Sequence, residues 1–259
     1  MSTQETYTRE LRDNLNYTAT WLPNLQLKLG DVGVLSKYEF TYRTNLKNLG
    51  IPFQEGKPGS AATYSYLSSD SVKRDIKLAG TAPAAGSMLA DVDAGISFSF
   101  SRKDAVVFLA TGCTVRTIAN QEPIKRAILE AYGNGAGTWE QDYVVVTELV
   151  SAASTTIIIS EGSAGQFELR AKAGLNPTFE AINTDGNFTL AHEAQIGFNC
   201  LAAAGVTPLF RCLGLRIGWF RDDVVTRDRL VSGETPADGT SHITVDEMEY
   251  DDYADTGNS

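Results

Sequence analysis

The sequence has few of the residues that form metal sites or disulfides, and it lacks a long apolar run. Its two histidines and three cysteines do not recur at the spacing of a zinc site. An odd number of cysteines, with no apolar signal-peptide core at the start of the chain, favours free thiols in a reduced, cytoplasmic compartment. No uncharged apolar run reaches about eighteen residues, so a transmembrane helix is not expected. We therefore expect no metal and no other cofactor.

Catalytic motifs are equally scarce. The chain has no G-x-S-x-G turn of the kind that presents a nucleophilic serine. A Ser-His-Asp triad can assemble from distant residues, so a hydrolase stays the third and least favoured possibility. The glycine-rich run 133–137 follows a predicted helix, which is the reverse of the order that places phosphate on a helix N-terminus. We expect the protein not to be an enzyme.

Positive charge is in short supply. The chain carries 22 Lys and Arg against 32 Asp and Glu, a formal net charge of −10. This balance argues against a general nucleic-acid binder, which needs a broad cationic face. Eight of the carboxylates lie in residues 231–259, which contain no Lys or Arg. We therefore predict one folded domain over residues 1–230 and an acidic, disordered tail over residues 231–259.

The spacing of apolar residues predicts a mixed α+β fold. Helical spacing occurs within the first twenty residues and again over residues 121–132. From residue 60 onward the dominant period is two, which is typical of strands with one buried or lipid-facing side. Residues 96–101 alternate without a break, and residues 166–173 and 193–200 do the same.

One segment carries a resemblance to a known family. Residues 139–150, with Tyr-Val-Val-Val-Thr-Glu at 143–148, resemble the strand that leads into the second membrane hairpin of gasdermin pore-forming domains. The next segments resemble that family in their order: a polar strand over 151–160, a turn over 161–165, a returning strand through Phe167 and Leu169, and a strand over 190–201. Upstream, residues 29–35 and 45–51 resemble the start of short fungal gasdermin-like proteins, including the regulator-of-cell-death family of allorecognition.

This resemblance implies a fold and a function. The fold would be that of a gasdermin N-terminal domain, a twisted antiparallel sheet with flanking helices that converts to a membrane β-barrel on oligomerisation. The protein would bind acidic phospholipids and oligomerise, either with itself or with a divergent allelic form. It would then permeabilise the plasma membrane and cause regulated cell death, remaining cytoplasmic before activation. The inserting hairpins would be residues 60–79 with 92–110, and residues 151–160 with 166–173 and beyond.

Two sets of candidate site residues derive from that implication. Basic side chains of the first helix and the next segment could contact anionic headgroups, each contributing about 1 kcal/mol. These candidate lipid-binding residues are Arg9, Arg12, Lys28, Lys37, Arg43 and Lys47. The candidate membrane-inserting residues are the apolar members of the alternating strands: Ile96, Phe98, Phe100, Phe167, Leu169, Ile196 and Phe198.

The alternation has a second interpretation, and the tail leaves the mode of control open. A β-rich binding module, with a static sheet packed on a core and no pore activity, would show the same period. Most gasdermins are released by proteolysis of a C-terminal part, whereas regulator-of-cell-death proteins are thought to respond to an allelic partner. Because the tail has few large aliphatic side chains, we expect truncation after about residue 230 to leave the isolated protein inactive.

Overall fold

The chain contains two α-helices and many strands. The computed structural model describes residues 1–22, 25–82, 87–133, 138–184, 186–219 and 241–252. Helix α1 is Thr3–Leu15 and helix α2 is Glu122–Gly133. Ser2 and Glu5 form a capping box at the start of α1, and Asn16 ends the helix in the left-handed conformation. Both helices lie where the spacing of apolar residues predicts them.

The described residues form fourteen strands, and every pairing between them is antiparallel. The strands are β1 Thr18–Ala19, β2 Asp31–Ser36, β3 Glu39–Asn45, β4 Ala62–Leu67, β5 Val72–Lys77, β6 Gly95–Phe100, β7 Val106–Thr117, β8 Tyr143–Ser151, β9 Ser154–Ser160, β10 Gln166–Ala171, β11 Phe188–Ala194, β12 Ile196–Ala204, β13 Leu209–Trp219 and β14 Ser241–Met248. The prediction of an α+β fold dominated by antiparallel sheet is confirmed.

The strands form two sheets. The larger has ten strands, with the path β1-β13-β8-β7-β9-β12, and β14, β2, β3 and β4 attached to its sides. The smaller has the order β11-β10-β6-β5. Two short 3-10 turns, Met88–Asp91 and Glu180–Asn183, lie in the connections between strands of the smaller sheet.

Eight of the strands belong to four continuous arms that pass from one sheet into the other. Arm 1 is β4 and β5, arm 2 is β6 and β7, arm 3 is β9 and β10, and arm 4 is β11 and β12. The order β4-β7-β9-β12 in the large sheet matches the order β5-β6-β10-β11 in the small one. The arms therefore lie side by side in the order 1-2-3-4 through both sheets, with a bend in each.

The strand pairing of one predicted hairpin is confirmed, and that of the other is corrected. Residues 60–79 pair with residues 92–110, as β4 with β7 and β5 with β6. In contrast, the sequence predicts that β9 and β10 return on each other across the turn at 161–165, and that prediction is wrong. They are successive parts of arm 3, and their partners in arm 4 are β12 and β11. Period two reveals strands but does not reveal which strands pair.

Three apolar clusters form the core. One lies between α2 and the large sheet, where Ile124 and Ile128 are buried. A second packs Tyr7 and Leu11 of α1 against the large sheet. The third lies against the small sheet and contains Phe98 and Phe167, which are both fully buried, along with the arm 2 and arm 3 strands of the large sheet.

The prediction of a disordered tail is wrong for residues 241–252. Strand β14 pairs with β13 over eight residues, from Cys212 opposite Met248 to Trp219 opposite Ser241. Val245, Met248 and Tyr250 are buried in the same cluster as α2. The acidic composition misled the prediction because the carboxylates are interspersed among these apolar residues, and the apolar side chains are buried while the carboxylates stay exposed or half-buried. Residues 231–240 and 253–259 lie outside the described part of the chain.

Candidate functional site

Five of the seven apolar side chains predicted to insert into a membrane lie together on one face of the small sheet. Cross-strand register places Ile76, Ile96, Leu169 and Leu190 in a single row across β5, β6, β10 and β11. We call this the apolar row. Its two inner members are fully buried, whereas Ile76 and Leu190, on the two edge strands, are 42% and 48% exposed. Directly opposed residues share a face, so all four side chains lie on one side of the sheet.

A neighbouring row on the same face has charged ends. Phe98 and Phe167 are opposite each other, with Arg74 beyond Phe98 on β5 and Glu193 beyond Phe167 on β11. We call this the charged-end row. Phe100 belongs to the same face and is also buried. Of the seven candidate inserting residues, the structure therefore brings these five together: Ile96, Phe98, Phe100, Phe167 and Leu169.

The two remaining candidates lie in the large sheet. Ile196 and Phe198 are both half-buried in β12. Ile196 packs against the cluster that contains Phe98, whereas the ring of Phe198 lies 5.7 Å from that of Trp21. They therefore belong to the large-sheet half of arm 4.

The loop between arms 3 and 4 covers the apolar face. The rings of Phe179 and Phe98 are 6.0 Å apart, and the Arg74 guanidinium lies 4.9 Å from the centroid of Phe179. The side-chain amide of the buried Asn183 donates to the backbone carbonyls of Leu109 at 3.0 Å and Ser154 at 2.9 Å. This loop is thus anchored on arms 2 and 3, and it shields phenylalanines from solvent.

The opposite face of the small sheet is polar. Asp75, Ser97, Glu168 and His192 form a row across the same four strands, which we call the polar row. Ser97 and Glu168 are nevertheless buried, at 1% and 7% exposure. The loop between arms 1 and 2 lies over this face, and the Lys77 ammonium donates to the Val92 carbonyl at 2.5 Å. Both faces are therefore covered by the arms' own connecting loops.

Side chains from α1 hold the arms at their bends. The Glu10 carboxylate accepts hydrogen bonds from Tyr66, at 3.2 Å, and from Ser68, both in arm 1 or at its bend. It also forms an ion pair with Arg102 at the bend of arm 2. Burial, followed by the nearby Glu10 carboxylate, raises the pKa of Tyr66. One helix thus ties two arms together at their bends.

The bends of the other arms are joined to this point. The Ser160 hydroxyl of arm 3 donates to the Arg102 carbonyl at 2.6 Å. The Glu161 amide donates to the Gln195 carbonyl of arm 4 at 2.8 Å. Asp104 and Gln195 take positive φ values of 57° and 51°, which shows that the chain turns sharply there. The four bends therefore lie at one level and share a hydrogen-bond network.

Two of the six candidate lipid-binding residues are already engaged by acidic residues near the C-terminus. Arg9 lies 3.0 Å from the Asp251 carboxylate and donates to the Tyr38 hydroxyl at 3.2 Å. Arg12 forms an ion pair with Glu249. Both arginine side chains keep about 40% of their surface exposed. The turn that follows β14 therefore neutralises these two charges on α1.

The six basic residues do not form one patch. Lys37 precedes Tyr38 at the turn of the β2–β3 hairpin, so it lies near Arg9. The other three residues are toward the opposite end of that hairpin, about 15–20 Å away at strand spacing. These three are Lys28, Arg43 and Lys47, and each is exposed.

Sequence reasoning missed Glu10 and Asn183, and it did not pair Arg9 and Arg12 with particular acidic residues. A glutamate on a helix and a loop asparagine carry no pattern of their own. The one available signal was the concentration of carboxylates near the C-terminus against two arginines three residues apart on the first helix. That signal predicts an attraction between the C-terminal carboxylates and the arginines of the first helix. Strand register and burial determine which carboxylates contact the arginines.

No family model and no curated protein matches this chain. Neither helix among the described residues has both the length and the apolar character needed to cross a membrane. Within the described ranges, His, Cys, Asp and Glu side chains do not gather into a group of three that could hold a metal ion. The four arms and the loops that cover the small sheet are therefore the structural features that bear on function.

Proposed function

We propose that the protein is a gasdermin-like pore-forming protein, whose four arms straighten into neighbouring strands of a membrane β-barrel. The observation that carries the proposal is the shared order of the arms in both sheets. Because the order 1-2-3-4 is the same above and below the bends, straightening needs no new pairing within the chain. Every backbone group of a spanning sheet must be paired, and the preserved order keeps neighbouring arms as partners throughout the conversion.

The arms have the length and the alternation that a bilayer requires. Arm 1, the shortest, covers residues 62–77, whereas about ten residues suffice for a tilted spanning strand. In the straightened sheet, the apolar row would face lipid and the polar row would face the lumen. Arg74 and Glu193 lie on the lipid side too, so each would need a partner of opposite charge. The loops that now cover both faces would then become the tips of two hairpins.

Membrane capture would precede that change. Lys28, Lys37, Arg43 and Lys47 are exposed and available to acidic phospholipids. Arg9 and Arg12 would exchange Asp251 and Glu249 for lipid phosphates. Each arginine would then keep an anionic partner. Because α1 also carries Glu10, movement of this helix toward the membrane would loosen the bends of arms 1 and 2. The outcome would be regulated cell death, in the manner of allorecognition proteins.

Two exposed residues permit a test that core mutations do not. Ile76 and Leu190 are exposed in the resting fold, so Ile76→Asp and Leu190→Asp should leave the thermal unfolding midpoint nearly unchanged. In a barrel, the same charges would face lipid at a cost of about 2–4 kcal/mol per copy near midplane. Thr189→Asp is the matched control, because Thr189 is also exposed and lies opposite Arg170 on the polar side.

The assay is dye release from vesicles that contain anionic phospholipid. We expect the unmodified protein and Thr189→Asp to release dye, and Ile76→Asp and Leu190→Asp to fail. The alternative, a static β-rich binding module, draws support from the covering of both sheet faces. Absence of release under all lipid compositions and with an added allelic form would favour that module.

A further inference from the structure

The two edges of the small sheet are open. Among the described residues, β5 pairs only with β6 and β11 pairs only with β10. The strands alternate in direction across β5, β6, β10 and β11, so the next antiparallel strand beyond β11 would run in the direction of β5. A second copy of the chain therefore presents, in its β5, a strand of the correct direction for the β11 edge.

The side chains on the two edges are complementary row by row. The charged-end row begins with Arg74 on β5 and finishes with Glu193 on β11. The apolar row begins with Ile76 and finishes with Leu190, both incompletely buried for lack of an outer neighbour. If a second copy continues the rows, Glu193 meets Arg74 and Leu190 meets Ile76. In the polar row, His192 would meet Asp75. The pairing of β11 with β10 skips Ala191, where the register shifts by one residue, so a seam that continues all three rows contains the same bulge.

We propose that the β11 edge of one copy binds the β5 edge of the next in the register that continues these rows. This proposal rests on the proposed pore function, and it specifies the contact between neighbouring copies, which we call the seam. A shift of two residues would keep the faces but place Arg74 beside Leu190 or Ile76 beside Glu193. Either choice sets a charge against an aliphatic side chain, so the complementary register is favoured.

The edges also disfavour the symmetric alternative. β5 carries Lys73, Arg74 and Lys77 against a single carboxylate, Asp75, so two β5 edges would repel each other. β11 carries a carboxylate, Glu193, and no lysine or arginine. Unlike edges therefore attract, which makes the contact head-to-tail, and head-to-tail contacts generate rings when the rotation closes.

The residues at this seam have exchangeable partners in the single copy. Glu193 accepts a hydrogen bond from the Asn199 side-chain amide, at 3.0 Å, in an exposed position. Lys73 and Asp75 lie 3.5 Å apart, and Lys73 is well exposed. Arg74 lies over the ring face of Phe179. Because Lys73 and Glu193 are exposed, little free energy opposes replacement of their contacts by contacts with a second copy.

A charge swap tests the seam. Arg74→Glu and Glu193→Arg should each slow dye release from anionic vesicles by about tenfold or more, because every seam in a ring then holds a like-charge pair. The double variant Arg74→Glu/Glu193→Arg should recover release to within about threefold of the original protein. Persistent loss in the double variant, with unchanged thermal unfolding, would overturn the proposed pairing. Lys57→Glu, at an exposed position outside the rows, is the charge-matched control for lipid attraction.

Cross-linking separates this inference from pore formation itself. In the variant Ile76→Cys/Leu190→Cys, oxidation on vesicles should join copies through a 76–190 disulfide, giving a ladder of multimers on a non-reducing gel. The shifted pair Arg74→Cys/Leu190→Cys should give at least about fivefold less cross-linked product, because diagonal positions lie too far apart for a disulfide. A ladder without dye release would retain the seam and refute the pore, whereas release without the 76–190 product would refute the seam.

Discussion

Removal of β14 should unfold the protein or nearly do so, because this strand is part of the core. The perturbation is a stop after residue 240, which deletes the eight residues that pair with β13. The deletion also removes three buried side chains, Val245, Met248 and Tyr250. At about 1.5–3 kcal/mol for each buried side chain, the three together lose about 4.5–9 kcal/mol. That is a large part of the stability of a typical domain, which is about 5–15 kcal/mol.

The assay is urea unfolding followed by tryptophan fluorescence and circular dichroism together. We expect the truncated chain to lose its cooperative transition or to unfold at a much lower urea concentration. A stop after Asp252 is the control, because it keeps β14 and the turn that engages Arg9 and Arg12. A truncated chain within about 1 kcal/mol of the full chain would refute the reasoning.

A point variant keeps the prediction testable if the truncated chain cannot be purified. Met248→Ala should cost about 2–5 kcal/mol, since Met248 is 4% exposed and lies opposite the buried Cys212 in the β13–β14 pair. Glu247→Ala, at the adjacent exposed position, should change stability by less than about 0.5 kcal/mol. Equal effects of the two variants would show that β14 does not contribute to the core.

Three further predictions concern a close backbone approach, a buried thiol and lipid choice. Gly33→Ala should destabilise the fold strongly, because the added Cβ would lie 2.3 Å from a backbone carbonyl oxygen of β3, whereas Gly133→Ala meets no neighbour and should be tolerated in the same thermal scan. Burial raises the pKa of the Cys113 thiol to about 11, so the thiol stays protonated at a pH of about 8. Alkylation of Cys113 by iodoacetamide, measured by mass spectrometry, should therefore require unfolding. Rapid alkylation of the native protein would contradict this. Arg9→Glu/Arg12→Glu should reduce flotation with anionic vesicles and reduce its sensitivity to salt, at a stability cost of only about 1 kcal/mol; equal binding of the original protein to neutral vesicles would contradict a role for anionic lipid.

The sequence predicts individual elements well where local pattern decides them. The apolar spacing of α2 places that helix within one residue of its predicted bounds, and α1 lies within the first twenty residues, where helical spacing predicts it. The same holds for residues 96–101, whose unbroken alternation becomes β6. Local pattern is sufficient here because neighbours in sequence provide the stabilising contacts.

Long-range pairing is where sequence reasoning fails. The turn at 161–165 looks like a hairpin connection, yet it is the bend at which arm 3 leaves one sheet for the other. What decides the outcome is competition between partners: β9 gains β7 and β12 as neighbours, which no local feature reveals. The prediction of a disordered tail fails for a related reason. Its three buried apolar side chains stabilise an ordered strand only because β14 can pair with β13.

The candidate site divides along the same line. Alternation alone places Ile96, Phe98 and Phe100 on one face, and the structure adds Phe167 and Leu169 to that face. The six basic residues are grouped only by proximity in sequence. The β2–β3 hairpin separates them because its turn, near Lys37, lies far from its open end, near Lys28, Arg43 and Lys47. Glu10 has its importance only through three partners from distant segments.

The most direct test of the pore account is whether Leu190 enters lipid while its neighbour does not. An environment-sensitive fluorophore would be attached to Leu190→Cys or to Thr189→Cys, with Cys200→Ser in both because Cys200 is the half-buried cysteine and the other two are buried. Both positions are exposed in the resting fold, so the two emission spectra should start alike. On anionic vesicles, we expect a blue shift at 190, with emission that lipid-soluble quenchers reduce, and no such shift at 189. Identical spectra at the two positions, in the presence of bound protein, would contradict it.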